Sequence, residues 1–336
     1  MKFKLFTLAA LLLAAAPASA KIWRVDNNAG NEADYTTLQM AHDSSAAGDT
    51  LYIAGSGTSY GSLTMTKQLI IFGPGYFLGE NLLAQATFTS AFTGGITINA
   101  GSEGSLLEGI QVINVITINA NNITVKRCLV KTTAGVALIR IGSGVSNIVI
   151  TQCYVQNSSG ACCLNRGIEL LGNNSNVIIT NSYMQGNGVG HYSILGTTTS
   201  VLQLRQNVLG GNILLYNSDI RNNILEDGTF SGTGNTILNN IGNSTQFGTS
   251  NGNQENVDMA TVFDSTGTTD GQWQLITGSP AIGAADDGGD IGMYGGAEPY
   301  VLSGVPHLPS ISFLKVPTTG SKALGLPVQI KVKGNN

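Results

Sequence analysis

A nine-residue phrase recurs through the middle of the chain and restricts it to one kind of architecture. The segment 122–130 (NITVKRCLV) returns as 147–155 (NIVITQCYV) and as 176–184 (NVIITNSYM). Shorter echoes follow at 204–209, 220–225 and 237–241. Aligned on the seventh residue they give the column Cys128, Cys153, Ser182, Asn207, Asn223 and Asn240, at steps of 25, 29, 25, 16 and 17 residues. Steps of this size indicate stacked supersecondary units, and the apolar-x-apolar alternation inside each copy has strand period. One such unit cannot bury its own apolar face. A stack can, because each strand pairs with the rung below at about 4.8 Å. Val125, Ile150, Ile179, Leu204, Ile220 and Ile237 lie three residues before the aligned column and are expected to form one inward ladder. Asn opens the three longest copies, and Asn tolerates the left-handed backbone that a tight corner needs.

These residues resemble the right-handed parallel β-helix proteins of the pectate-lyase-like superfamily, over residues 22–296. The resemblance implies an all-β solenoid. The segment 33–42 (ADYTTLQMAH) reads as a short capping helix, 47–53 (AGDTLYI) as the first full strand and 67–75 (KQLIIFGPG) as the next. Residues 275–284 and 289–295 resemble the closing coils of secreted bacterial members. Members of this superfamily include lyases, hydrolases, adhesins and proteins without known activity, so the fold does not give the function.

Residues 1–20 have the character of a signal peptide, with Lys2 and Lys4, an apolar stretch from Leu5 to Ala16, and Ala18-Ser19-Ala20 at the cleavage site. The expectation is an exported protein, periplasmic, on the outer surface or secreted, with residues 21–300 as the β-helix and 301–336 as a basic tail. No segment after the leader is apolar enough to span a bilayer. The 316 residues after the leader would make about ten to twelve coils. Only 11% of residues are charged and 44 are Gly, which suits tight corners rather than disorder. Cys128 and Cys153 share a column on adjacent coils. They are expected to be a stacked pair of buried thiols, with a cross-rung disulfide as the alternative. Cys162 and Cys163 have no evident partners, and neither pair has the spacing of a metal site.

Charge is segmented along the chain. Residues 126–221 contain seven bases and two acids, whereas 222–314 contain ten acids and no Lys or Arg. On a solenoid these segments are slabs along the axis. Lys126, Arg127, Gln152, Tyr154, Asn181, Tyr183, Arg205 and Arg221 fall in columns flanking the aligned position and are expected to point outward. Arg, Lys, amides and stacked Tyr suit a polysaccharide, an acidic one in particular. The alternative is a solvated wall with Tyr stacked for support. Nucleic acid is not expected, because the chain is acidic and carries no known nucleic-acid motif.

Catalysis has weaker support. Hydrolysis of a glycoside usually needs two facing carboxyl groups, and the central slab offers only Glu169 and Asp219, about two coils apart. Lyases of the resembled superfamily typically use Ca²⁺ held by clustered acids together with an Arg or Lys base. No acid cluster accompanies the bases here. Glu169 aligns with Arg140 on the neighbouring coil and should pair with it on the surface. His191, beside Tyr192, is a loop residue that could line a cleft. No cofactor is implied. Asp286, Asp287 and Asp290 are candidates for Ca²⁺, with an exposed turn as the alternative. The four Asn-x-Ser/Thr sites at Asn122, Asn157, Asn173 and Asn243 are expected to be structural turns. Residues 311–316 and 327–332 read as a basic two-strand appendage, either covering the last open coil or serving as a docking element. The sequence therefore points to a polysaccharide-binding or envelope-associated protein, with a polysaccharide lyase and a surface adhesin as alternatives.

Overall fold

The computed structural model describes residues 20–81, 84–132, 137–157, 165–186, 190–322 and 325–335. The leader read over residues 1–20 and the Cys162-Cys163 pair lie essentially outside these residues. Three parallel sheets of ten, eight and eight strands run the length of the body. In each, every strand pairs with its counterpart one coil away, so the chain is a parallel β-helix. The first sheet starts at Ile22–Val25 and ends at Thr236–Leu238. The second runs from Phe92–Thr93 to Ile241–Gly242, and the third from Leu63–Met65 to Phe230–Ser231. The helix Leu38–Ser44 sits beside the first coils, with the Thr37 side chain accepting from the Met40 amide. The first sheet begins one strand before the segment at 50–53, because Ile22–Val25 pairs in register with it.

The inward ladder is present. Val125 pairs with Ile150, Ile150 with Ile179, Ile179 with Leu204, Leu204 with Ile220 and Ile220 with Ile237. All but Ile237, which lies near the open end, have no solvent exposure, and Ile237 is half-buried against the same core. Complete burial of such side chains contributes roughly 1.5–3 kcal/mol each.

Two Asn ladders bind the coils. The outer one runs along a corner, with Asn147 donating to Asn122 (2.9 Å) and Asn176 to Asn147 (2.8 Å). All three have positive φ, as the corner requires. The inner ladder continues the aligned column. Asn207 donates to Asn223 (2.9 Å), Asn223 to Asn240 (2.9 Å) and Asn240 to Asn253 (3.1 Å). At its other end Ser182 and then the thiols replace Asn. Cys128 and Cys153 are buried and unbridged, and burial pushes the Cys128 thiol well above its ordinary pKa.

After the last coil the chain turns back along the axis. Residues 275–284 and 289–295, expected as closing coils, instead belong to this returning segment and form no strands. The segment contains three short turns of 3₁₀ helix, at Met259–Thr261, Gly271–Trp273 and Leu302–Gly304. It covers the outer face of the second sheet, where Leu129, Tyr154, Tyr183, Val208, Ile224 and Ile241 form a second apolar layer with Val262, Phe263, Ile291 and Met293. A buried carboxylate holds the segment to the body. Asp270 accepts from the Ser303 amide (2.7 Å), Asn81 (2.8 Å) and the Tyr300 hydroxyl (3.2 Å).

The tail ends in an antiparallel hairpin, Ser310–Lys315 with Gln329–Lys333. It does not cover the last coil. His307 Nδ1 lies 2.7 Å from the buried Glu108, and the Ala86 amide donates to Ile311, so the hairpin sits beside the early coils.

Candidate functional site

The bend between the first and second sheets decides which candidate residues meet solvent. One residue before the aligned column stand Arg127, Gln152, Asn181, Gln206, Asn222 and Asn239, and all have φ between 49° and 58°. This left-handed turn lets the chain change sheets within two residues and projects each side chain away from the barrel. The column points outward, as expected, but it does not meet solvent. The returning segment lies across it, and four of the six side chains satisfy that segment's carbonyls. Arg127 donates to Val305 O (2.8 Å), Gln152 to Pro299 O (2.6 Å), Asn181 to Gly295 O (2.7 Å) and Asn239 to Ala284 O (2.8 Å). Partner numbers fall as the column rises, so the segment runs antiparallel to the growth of the solenoid. The backbone of an aperiodic segment cannot be buried unless its carbonyls find such donors.

The expectation that Arg127, Gln152, Asn181, Tyr154 and Tyr183 line an open face is therefore corrected. The first three are 2–4% exposed, and both Tyr are 1% exposed. Tyr154 stacks on Tyr183 at 4.6 Å between ring centroids, Tyr183 stacks on Trp273 at 4.4 Å, and Phe77 meets Tyr154 edge-on. No ring face is left for a sugar. The Tyr183 hydroxyl donates to Glu226 (3.2 Å), a carboxyl that burial pushes up to about 7. Sequence reasoning missed Glu226 because it is an acid in an acidic stretch, and its bond to Tyr183 spans two rungs of the second sheet.

The next column along the first sheet stays open. It holds Lys126, Thr180, Arg205 and Arg221, with the more buried Thr151 between the first two. The returning segment forms the opposite wall. Between them lie two cavities of about 330 and 300 Å³ that share Ala297 and Glu298, so together they form a groove along the axis. Lys126, Arg127 and Gln152 line the first, and Thr180, Arg205, Gln206, Arg221 and Asp286 the second. Gln206, in the same column as Gln152, has a buried carboxamide oxygen without a hydrogen-bond partner.

The basic side chains in this groove are paired. Asp219 takes both Arg205 and Arg221, Asp286 takes Arg221 at 2.8 Å, and Glu298 lies 3.5 Å from Lys126. The bond to Asp286 and then that to Asp219 hold the Arg221 guanidinium above its ordinary pKa. The Asn222 amide, followed by Arg221, holds the Asp286 carboxyl below its own. The three acids considered for Ca²⁺ do not converge. Asp286 faces Arg221 and Asn222, Asp287 accepts from the Gly289 amide and Asp290 from the Gly283 amide. Among the described residues no group of three or more His, Cys, Asp or Glu is arranged to hold a metal ion.

On the third sheet Arg140 meets Glu169 at 3.1 Å, as its alignment predicts. Glu169 also takes Arg166 and is 8% exposed, so it forms a partly buried triad rather than a free surface pair. His191 is buried, and its Nδ1 accepts from the Asn165 amide at 3.0 Å, so it braces a turn. No helix among the described residues is long and apolar enough to cross a membrane.

Comparison with known proteins finds no match to a family model, a curated protein or a solved structure.

Proposed function

We propose that the protein is an exported β-helix of the pectate-lyase-like superfamily that binds a polysaccharide in the groove between the first sheet and the returning segment. The observation that carries this reading is the groove itself. It runs along the axis, is lined by Arg, Lys, Thr and amide side chains, and remains open while the neighbouring column is covered. An extended sugar chain lying along it advances by about one rung per residue and meets Lys126, Thr180, Arg205 and Arg221 in turn. The leader-like residues 1–20 support export.

The pairing of charge revises the ligand class. Arg205, Arg221 and Lys126 already face Asp219, Asp286 and Glu298, so little unpaired positive charge is available for carboxylates or sulfates. Paired charges still present N–H donors and carboxylate acceptors to hydroxyls. A neutral, hydroxyl-rich glycan therefore fits better than an acidic one. The lyase reading is disfavoured on similar grounds. Asp286 and Asp219 stabilise the protonated form of Arg221, which makes it a poor proton acceptor.

A glycan array on the protein without its leader, with product analysis of each hit, tests the proposal. Retention of neutral glycans without turnover is expected. Thr180→Trp, which fills the groove from a half-buried position at the end of its strand, should abolish retention while the fold persists. A wild type that retains no glycan overturns the proposal, as does a folded Thr180→Trp protein that retains them unchanged.

A further inference from the structure

The C-terminal hairpin separates its two faces by chemistry. Directly opposed residues on antiparallel strands share a face. Ile311 opposes Val332 and Leu314 opposes Ile330. Val316 and Val328 continue that face by alternation along each strand. Ser310 opposes Lys333, Phe313 opposes Lys331 and Lys315 opposes Gln329 on the other face. One face is thus wholly apolar and the other carries three Lys. The six apolar residues are each between 44% and 67% exposed. A two-stranded hairpin with an uncovered apolar face is at best marginally stable in water.

The extent of the patch suits a protein partner. Six aliphatic side chains about half open to solvent amount to roughly 500 Å², near the upper end for the largest apolar patch of a monomer. Ile311 and Leu314 extend it into a recess of about 310 Å³ shared with Tyr52, Ala86, Pro306 and Leu308. Two such patches packed on each other bury about 1,000 Å² in total, the lower bound for a specific interface, which fits a concentration-dependent association.

We infer that this face is a homodimer interface, in which the hairpins of two copies of the chain pack apolar face to apolar face. The arrangement is isologous, so one patch serves both sides. It gives each hairpin the second layer that sheet packing requires. It also leaves Lys315, Lys331 and Lys333 of both copies on the outside, in water. A lipid surface fits the geometry less well, because the lysines project from the face opposite the one that would enter the bilayer. Edge-on strand addition is likewise opposed by Lys331 and Lys333 on the outer strand.

Sedimentation equilibrium of the protein without its leader over a wide concentration range tests the inference, and a concentration-dependent dimer is expected. The triple variant Val328→Thr, Ile330→Thr, Val332→Thr retains strand-forming residues and should lose the dimer while the far-ultraviolet circular dichroism of the β-helix persists. Ile330→Lys should do the same. Lys331→Glu, on the opposite face, should leave the dimer intact. A wild type that is monomeric at every concentration overturns the inference. So does a triple variant that remains dimeric, or a monomer that floats with anionic phosphatidylserine vesicles, which would assign the face to lipid.

Discussion

Asn223 is the position at which the inner ladder can be tested most directly. It has no solvent exposure, and its side chain makes five bonds. Its oxygen accepts from the Asn207 amide (3.1 Å) and the Asn207 side chain (2.9 Å). Its nitrogen donates to Leu204 O (2.8 Å), Arg221 O (3.0 Å) and Asn240 (2.9 Å). In Asn223→Ala the methyl group replaces none of these. The Asn207 backbone N–H is stranded in a dry interior, whereas the Asn207 side chain keeps Ile179 O and Arg205 O as acceptors and the carbonyls retain capacity for backbone bonds. One stranded donor costs about 1–3 kcal/mol, and a loss of that size is expected. Asn147→Gly is the comparison. It removes two bonds of the same chemistry from the outer ladder, where water replaces them, and glycine accepts the positive φ at that corner. Its cost should be about 1 kcal/mol or less. Urea unfolding followed by far-ultraviolet circular dichroism measures both, provided that different probes give coincident transitions, since solenoids can unfold coil by coil. Equal losses for the two variants, or a loss below about 1 kcal/mol for Asn223→Ala, would refute the claim that burial rather than ladder geometry makes the inner Asn column stabilising.

Glu226 is held near pH 7 by burial, so the folded protein binds its proton more tightly than the unfolded chain does. Stability should therefore fall as pH rises from the unfolded carboxyl range through about 7. Glu226→Gln should raise the melting temperature at pH 8 and change it little at pH 4, and a uniform shift at both would count against this cause. Trp273→Ala removes one end of the Tyr154–Tyr183–Trp273 stack and should release the returning segment before the coils. Limited proteolysis should then cut between residues 257 and 305 while the β-sheet dichroism persists; a cooperative loss of both would show that the segment and coils form one unit. Thiol titration after unfolding without reductant should find Cys128 and Cys153 free, and finding them bridged would contradict the stacked-thiol arrangement.

The register of the solenoid was legible in the sequence because its causes are local and repeated. Apolar alternation places Val125, Ile150, Ile179, Leu204 and Ile220 inside whatever the lengths of the connecting loops. Asn at 122, 147 and 176 marks a corner because few other side chains tolerate positive φ. The same logic gave the bend column its outward direction, which the structure bears out. What sequence could not supply was the cover over that direction. Residues 257–305 have no period, and they are held by side-chain amides donating to their backbone carbonyls, an interaction that imposes almost no residue preference on the segment receiving it. Outward polar residues that dock a segment therefore look the same in sequence as outward polar residues that meet water. The charge map was limited for a similar reason. Lys and Arg cluster between residues 126 and 221, but Arg221 and Lys126 find Asp286 and Glu298 far along the chain. Strand register follows from a periodic pattern read along the chain. The exposure of Tyr154 and the net charge of the groove depend on which distant segment lies alongside, and that was decided only when the chain folded back on itself.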